Sequence, residues 1–265
     1  MEAIDLRAAR EALRETAPLV HCLTNTVAQT ITANALLAVG AAPAMVDAPQ
    51  EAGDFAAVAS AVLVNVGTVH ERTAEAMRLA VRSAGTAGTP WVLDPVAVGA
   101  LAYRTALAEE LVTLRPTVVR GNASEVMALA GSGAGGRGVD STAGADDAEL
   151  AASGLARRTG GVVAVSGVVD LLTDGSRTMR VGGGSALLTR TTGAGCALGA
   201  LVAAYLAVTA DPLTGAVAAH AHVALAAERA AATAAGPGTF AAAWLDALDS
   251  VDGDTLAKAD VRIVG

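Results

Sequence analysis

Aromatic side chains are nearly missing from this chain: two Trp, two Tyr and two Phe make up 2% of 265 residues. A pocket built from stacked rings is thereby disfavoured, and small aliphatic side chains must shape any ligand site. Cysteine is equally sparse. Cys22 and Cys196 lie far apart in sequence, fit no zinc-ligand spacing and cannot form a disulfide framework, which points to a reducing, cytoplasmic setting. Basic residues are short as well, with 18 Lys and Arg against 26 Asp and Glu and a net charge of -8. Clustered cations of the kind that hold nucleic-acid backbones are absent, so the expected partners are small molecules. Any phosphate must be gripped by local amides and single cations, because the average field repels it.

Other signals are lacking too. Residues Met1 to Thr16 are charged and helix-like, without the apolar centre and small-residue cleavage site of a signal peptide. The most apolar run, Ala194 to Ala210, is short for a membrane span and ends at Asp211-Pro212, so it reads as a buried helix. No internal repeat and no Walker A motif ending in Gly-Lys-Ser/Thr is present. Gly133, Gly135 and Gly138 satisfy a G-x-G-x-x-G spacing, but they follow a helix ending at Ala130 instead of a strand. The Gly131 to Gly138 stretch therefore reads as a flexible connection and not as a dinucleotide fingerprint.

What remains is abundant hydrophobic sequence, 53% of residues against 17% charged, enough for one large α/β domain over residues 1–265. Short β-branched runs at Leu19-Leu23, Ala42-Val46, Val62-Val66, Trp91-Leu93, Thr117-Arg120 and Val162-Ser166 alternate with Ala-rich segments of helical period. That alternation predicts a mostly parallel, doubly wound sheet with helices on both faces. Asp174-Gly175 and Gly182 to Gly184 punctuate β-type runs between Asp170 and Leu188, predicting an antiparallel excursion at one sheet edge. Helices alone are expected after it.

Ligands of open α/β sheets sit beyond the carboxyl ends of the strands, so the residues there carry the chemistry. The sharpest local feature is Thr191 to Cys196, a Gly-punctuated turn running into an apolar helix. It offers free amides and a positive dipole end to an anion, or else only a tight helix start capped by Thr192. Cys196 falls in the first turn, where the dipole favours a thiolate, although a buried, inert thiol is the commoner fate of an isolated cysteine. Asp94 ends a strand, and there it either bridges magnesium to phosphates or simply forms a turn. Glu125 follows Asn122 by three residues, the spacing of a capping box, while Arg120 ends the preceding strand. Ser166-Gly167, Asn25 and Asn65-Val66-Gly67-Thr68 place small polar groups at further strand ends, each equally explicable as a turn or cap. Met45 reads as core, and His220 and His222, two apart on a helix, face different sides and are assigned no metal.

Taken in order, these segments resemble the hydroxyethylthiazole kinase family across nearly the whole chain. The segments are Pro18-Leu19-Val20-His21 with Leu23-Thr24-Asn25, Thr32-Ala33-Asn34 with Leu36 to Ala41, Asn65 to Thr68, Val92-Leu93-Asp94-Pro95-Val96, Arg120-Gly121-Asn122-Ala123-Ser124-Glu125, Ser166-Gly167 with Val169-Asp170, Leu187-Leu188-Thr189, and Thr192-Gly193-Ala194-Gly195-Cys196. The resemblance implies a ribokinase-like fold and ATP-dependent phosphorylation of 4-methyl-5-(2-hydroxyethyl)thiazole with Mg2+, in a homotrimer whose thiazole sites lie between subunits. It further implies ATP contacts at Arg120, Asn122 and Ser166, magnesium-side carboxylates at Asp94 and Glu125, and thiazole contacts at Asn25, Met45, Gly67 and Gly193. Gly193, Ala194, Gly195 and Cys196 would form the anion hole, with the Cys196 thiol as weak base or hydrogen-bond partner. Cysteine at that position is usual in the thiazole branch, where other ribokinase-like enzymes carry Asp. Three positions depart from the pattern: Cys22 where Asn is expected, Ala97 where Gly is expected, and Ser166 where Thr is common. Two further readings fit the same residues, a nucleotide-dependent dehydratase repairing hydrated nicotinamide cofactors and a non-catalytic thiazole- or nucleotide-binding protein.

Overall fold

The structure, a computed structural model, describes residues 4–131 and 148–264. Its strands are β1 (Leu19–Leu23), β2 (Ala42–Ala44), β3 (Ala61–Asn65), β4 (Trp91–Asp94), β5 (Val118–Asn122), β6 (Val162–Ser166), β7 (Asp170–Thr173), β8 (Thr178–Val181) and β9 (Val261–Val264). Its helices are α1 (Leu6–Thr16), α2 (Gln29–Val39), α3 (Pro49–Val58), α4 (Glu71–Ala87), α5 (Ala102–Val112), α6 (Ala123–Ala130), α7 (Glu149–Thr159), α8 (Ala194–Leu206), α9 (Pro212–Thr233), α10 (Pro237–Ser250) and α11 (Gly253–Leu256). The strands lie in one sheet in the order β2-β1-β3-β4-β5-β6-β7-β8-β9, parallel from β2 to β6 and antiparallel beyond.

Both faces of the parallel strands are covered, which is why those strands read as continuous Val, Leu and Ala runs. The pleat divides them cleanly. Cys22, Leu63, Val92, Val118 and Ala164 join one core beneath α2, α8, α9 and α10, while Leu23, Val64, Leu93, Val119 and Val165 join the other beneath α4 to α7. The apolar run from Ala194 becomes α8, with every residue from Ala197 to Leu206 buried.

Six expected strands are present, β1 and β6 with the expected ends and β2 to β5 with shifted ones. β2 stops at Ala44 instead of Val46, because the Val46 carbonyl is taken by His21 Nε2 at 2.7 Å and Pro49 already opens α3. β4 includes Asp94, and β5 extends to Asn122 because Gly121 and Asn122 still pair with Val165 and Ser166. The antiparallel excursion is the β7–β8 hairpin, turned by Asp174 Oδ1, which accepts the amides of Ser176 at 2.8 Å and Arg177 at 2.7 Å. The expectation of helices alone after this hairpin is corrected by β9, which pairs with β8 from Val261↔Val181 to Val264↔Thr178. Four residues carry too little period-2 signal to announce a strand; the open edge of β8 recruits them. Residues 132–138 of the Gly-rich stretch lie outside the described residues.

Candidate active site

Because β1 and β3 to β6 run parallel, their carboxyl ends share one edge of the sheet. The chain leaves β1 toward β2 and returns to β3 on the other side, so the β1/β3 boundary is the point where strand order reverses, the place where such sheets hold ligands. Asn25 follows β1 and Asn65 ends β3, and their side chains meet there: Asn25 Nδ2 donates to Asn65 Oδ1 at 3.0 Å. Asn65 Nδ2 in turn donates to Asp94 Oδ2 at 2.6 Å, from the strand with which it is in register. Asn25 Nδ2 also reaches Cys196 Sγ at 3.1 Å.

Arg120 faces Asp94 from the next strand, its Nη1 3.9 Å from Oδ1, while its Nη2 donates to Ser166 Oγ at 2.7 Å. One guanidinium thus spans the tips of β4, β5 and β6. Glu125 makes the capping box its spacing predicts: Asn122 Oδ1 accepts the Glu125 amide at 3.0 Å and Glu125 Oε2 accepts the Asn122 amide at 2.9 Å. Glu125 Oε1 does more, accepting the Ala97 amide at 2.8 Å and tying the loop after Asp94 to this corner. Capping and a place beside Asp94 are therefore compatible uses of one carboxylate, whose oxygens each keep a further lone pair.

Helix α8 starts at Gly193 with φ +83° and has no side-chain cap, so Thr192 does not cap it. A side chain at 193 is doubly excluded, since its Cβ would stand 2.5 Å from Ile31 Cγ2 and 3.2 Å from Ala28 Cβ. The Ala194 amide donates to Thr191 O at 3.2 Å, and helix geometry leaves those of Gly195 and Cys196 without intrahelical acceptors. Gly195 lies against Arg120 and Gly199 against Leu63 and Asp94, where added Cβ atoms would come within 3.3 Å of Nη1 and 3.1 Å of Cδ1. These glycines bring the positive end of α8 down onto the strand tips.

Burial governs the charges here. Asp94 is wholly buried and its carboxyl is pushed up to about 7 by desolvation; Arg120 opposes the shift, Glu125 adds to it, and the Asn65 hydrogen bond opposes it. Glu125 is also raised by burial, against the pull of the Ala97 and Asn122 amides and of Arg120. The Cys196 thiol is raised to about 11 by burial first and the Asp94 charge second, outweighing Asn25, Asn65 and Arg120. Of the two readings of this thiol, burial supports the inert one, opposing the pull of the helix start.

Of the residues singled out in the sequence, the structure brings Asn25, Gly67, Asp94, Arg120, Asn122, Glu125, Ser166 and Gly193 to Cys196 to one edge. Gly67 abuts Asn25, where a Cβ would come within 2.9 Å of the Asn25 side chain. Met45 stands one strand outward, half-buried against the core on the α2 side, outside this hydrogen-bonded chain. His220 and His222 are both buried, paired with Asp170 (2.6 Å) and Tyr205 (2.8 Å). Asn65 is the contributor that sequence reasoning left in the background; its place at a strand end was the signal for it.

Among the described residues no three His, Cys, Asp or Glu side chains converge as a ready-made metal centre. The donor set at the Asp94 corner suits a cation that keeps most of its own water and phosphate oxygens, as magnesium does. Asp94 Oδ1 is buried with no hydrogen-bond partner, an oxygen that a cation would satisfy.

The hydroxyethylthiazole kinase family matches residues 11–254 of the chain. A hydroxyethylthiazole kinase of Kineococcus radiotolerans is 67% identical over 260 residues, covering 98% of this chain and 94% of the relative. That of Clavibacter sepedonicus is 58% identical over 248 residues, covering 94% and 90%. Among solved structures, the hydroxyethylthiazole kinase protein of Pyrococcus horikoshii superposes with a TM-score of 0.91 at 37% identity, covering 98% and 99% of the two chains. The pyridoxal kinase of Staphylococcus aureus, solved with AMP-PCP and pyridoxal, superposes at 0.65 with 17% identity over 94% and 99%, a likeness of fold alone. The architecture is the ribokinase-like one.

Proposed function

The chain belongs to the hydroxyethylthiazole kinase family, and from that footing we propose that it moves the γ-phosphoryl group of ATP onto the hydroxyl of 4-methyl-5-(2-hydroxyethyl)thiazole, a step of thiamine synthesis and salvage. The observation that carries the reading is the uncapped start of α8 at Gly193 to Cys196, set against Asn25 on one side and the Asp94–Arg120 pair on the other. In the transfer, the alcohol oxygen bonds to phosphorus as the bond to the β-phosphate oxygen breaks, ADP departs, and the hydroxyl proton passes to solvent. Asn25, Gly67, Met45 and Gly193 bound the thiazole side. Arg120, Asn122 and Ser166 meet ATP. The amides of Gly193, Gly195 and Cys196, with Ala194 at their centre, receive the moving charge.

Phosphoryl transfer depends on positioning and charge stabilisation more than on a strong base. A thiol that stays protonated to about pH 11 supports Cys196 as a hydrogen-bonding neighbour of the alcohol and not as its base. Asp94 and Glu125 would hold magnesium, which supplies charge neutralisation for the phosphates; Asp94 Oδ1 is the oxygen free to do so.

ADP release on mixing the protein with ATP, magnesium and the thiazole alcohol tests the function. A chain that binds both ligands without releasing ADP would sink it. Cys196→Ala tests the thiol: turnover should fall less than about tenfold with the pH profile unmoved, whereas a hundredfold loss would restore a base role. We also propose a homotrimer of single-domain subunits in the cytoplasm, with the alcohol sites between copies. Val27, two residues from Asn25 on the thiazole side, is a large apolar side chain left 64% exposed, the kind of surface a neighbouring copy covers. Light scattering reads the copy number. Among the described residues no helix is long and apolar enough to cross a membrane.

A further inference from the structure

The polarity of the hydrogen-bonded chain at the site is set by two backbone amides. Ala28 N–H donates to Asn25 Oδ1 at 3.1 Å, so the other end of that side-chain amide, Nδ2, is the donor that faces Asn65 and Cys196. Gly67 N–H donates to Asn65 Oδ1 at 2.9 Å, so Asn65 must turn its Nδ2 toward Asp94. A main-chain N–H cannot act as acceptor, and neither amide can flip without leaving a buried donor facing another donor. The Asp94 oxygen at the end of the chain, Oδ2, is consequently held as an acceptor, and Oδ1 is the oxygen left unpartnered toward Arg120.

We infer that Asn65 is a positioning residue of the phosphoryl transfer, clamping the Asp94 carboxylate through its amide nitrogen and the alcohol-side pair Asn25 and Gly67 through its amide oxygen. The residue is 1% exposed and makes no contact that needs a ligand to complete it. Its Oδ1 accepts two hydrogen bonds and its Nδ2 gives a short one, so one planar group sets the spacing between the two halves of the site. This amide is a direct hydrogen-bonded link from Asn25 to Asp94. The inference rests on the proposed kinase reading, in which Asn25 borders the alcohol and Asp94 the phosphates.

The two halves of the amide are separable by substitution. Asn65→Asp keeps oxygens for the Gly67 and Asn25 donors but presents an oxygen instead of an N–H to Asp94; Asn65→Leu keeps the volume and removes both functions. Assayed at pH 8, Asn65→Asp should lower kcat at least thirtyfold, on the order expected for a misplaced reacting group, with KM for the thiazole alcohol within about threefold of wild type. Asn65→Leu should lower kcat as far and raise that KM about tenfold or more. ADP-dependent thermal stabilisation should persist in both. If Asn65→Asp keeps more than about a third of wild-type kcat, or if both variants lose ADP stabilisation together with activity, the positioning role is wrong and Asn65 is only a core residue. Wild-type protein that fails to release ADP would instead sink the kinase reading, which separates the two failures.

Discussion

Burying a carboxylate with its nearest cation 3.9 Å away costs folding free energy, and Asp94 carries that cost at neutral pH. A folded-state pKa raised to about 7 means that its contribution to stability is fully present only below the unfolded value near 4 and is lost as pH rises to 7. Asp94→Asn should accordingly raise the thermal midpoint near pH 7.5, by roughly 1–3 kcal/mol of stability, while lowering turnover by at least about a thousandfold. A variant both inactive and less stable would contradict this account. Ala97 presents a smaller cost of the same kind. It stands at φ +58°, a conformation that L-residues with a Cβ avoid, at the position where the family pattern led us to expect Gly. Ala97→Gly should stabilise the protein by about 1 kcal/mol in urea unfolding and leave kcat unchanged, because the amide that Glu125 accepts is retained. The sequence thus flagged the right position without showing the dihedral that explains it. Glu125 was legible for the converse reason: its bond to Asn122 is local, three residues along, whereas the tie to Ala97 crosses 28 residues and has no signature in spacing.

Elements whose residues are all short-range or all buried were the readable ones. Strands β1 and β3 to β6 have two covered faces, so their apolar runs announce them, and the Asp174-Gly175 turn announces the hairpin. β9 was invisible because its pairing partner lies 80 residues upstream, and β2 was overrun because an edge strand's length is decided by what its neighbour leaves unpaired. The start of α8 was legible as a Gly-rich turn, but not its reason. Gly193 answers to Ile31 and Ala28 at the beginning of α2, and Gly199 to Leu63 and Asp94 in the sheet, contacts that only the packed fold creates. Gly193→Ala should therefore cost about 2 kcal/mol or more by denaturant unfolding, through left-handed strain plus the clash with Ile31, and should depress kcat with it. Trimming the partner discriminates the two causes: Ile31→Ala in the Gly193→Ala background relieves the clash and not the dihedral, so partial recovery of stability is the expected outcome.

At the scale of the whole molecule, the titratable groups kept neutral by burial shape the pH range over which the fold holds. His222, locked between the Tyr205 hydroxyl at 2.8 Å and the Leu248 carbonyl at 2.9 Å, is depressed to about 3, by burial first and then by Arg10. A base whose folded pKa lies below its unfolded value of roughly 6.5 contributes stability that is present above that value and is lost as pH falls toward 3. At the other end, burial raises the Cys22 thiol to about 12 and the Cys196 thiol to about 11, against roughly 8.5 unfolded. Their contribution is present below the unfolded value and is lost as pH climbs from about 8.5 through 11 and 12. Asp94 acts against this trend on the acid side, gaining nearly as much stability as pH drops from 7 toward 4 as His222 loses. On account of these groups the thermal midpoint should consequently change little from about pH 4 to 8.5, and fall on the alkaline side by several kcal/mol of stability. Cys22→Ala isolates the alkaline limb. Its side chain touches no site residue and its thiol makes only a weak contact with the Val20 carbonyl at 3.8 Å, so the variant should lose a little stability at neutral pH and decline less steeply above pH 9. An unchanged alkaline slope would assign that limb to other groups, with Tyr205, raised by the same burial, next in line.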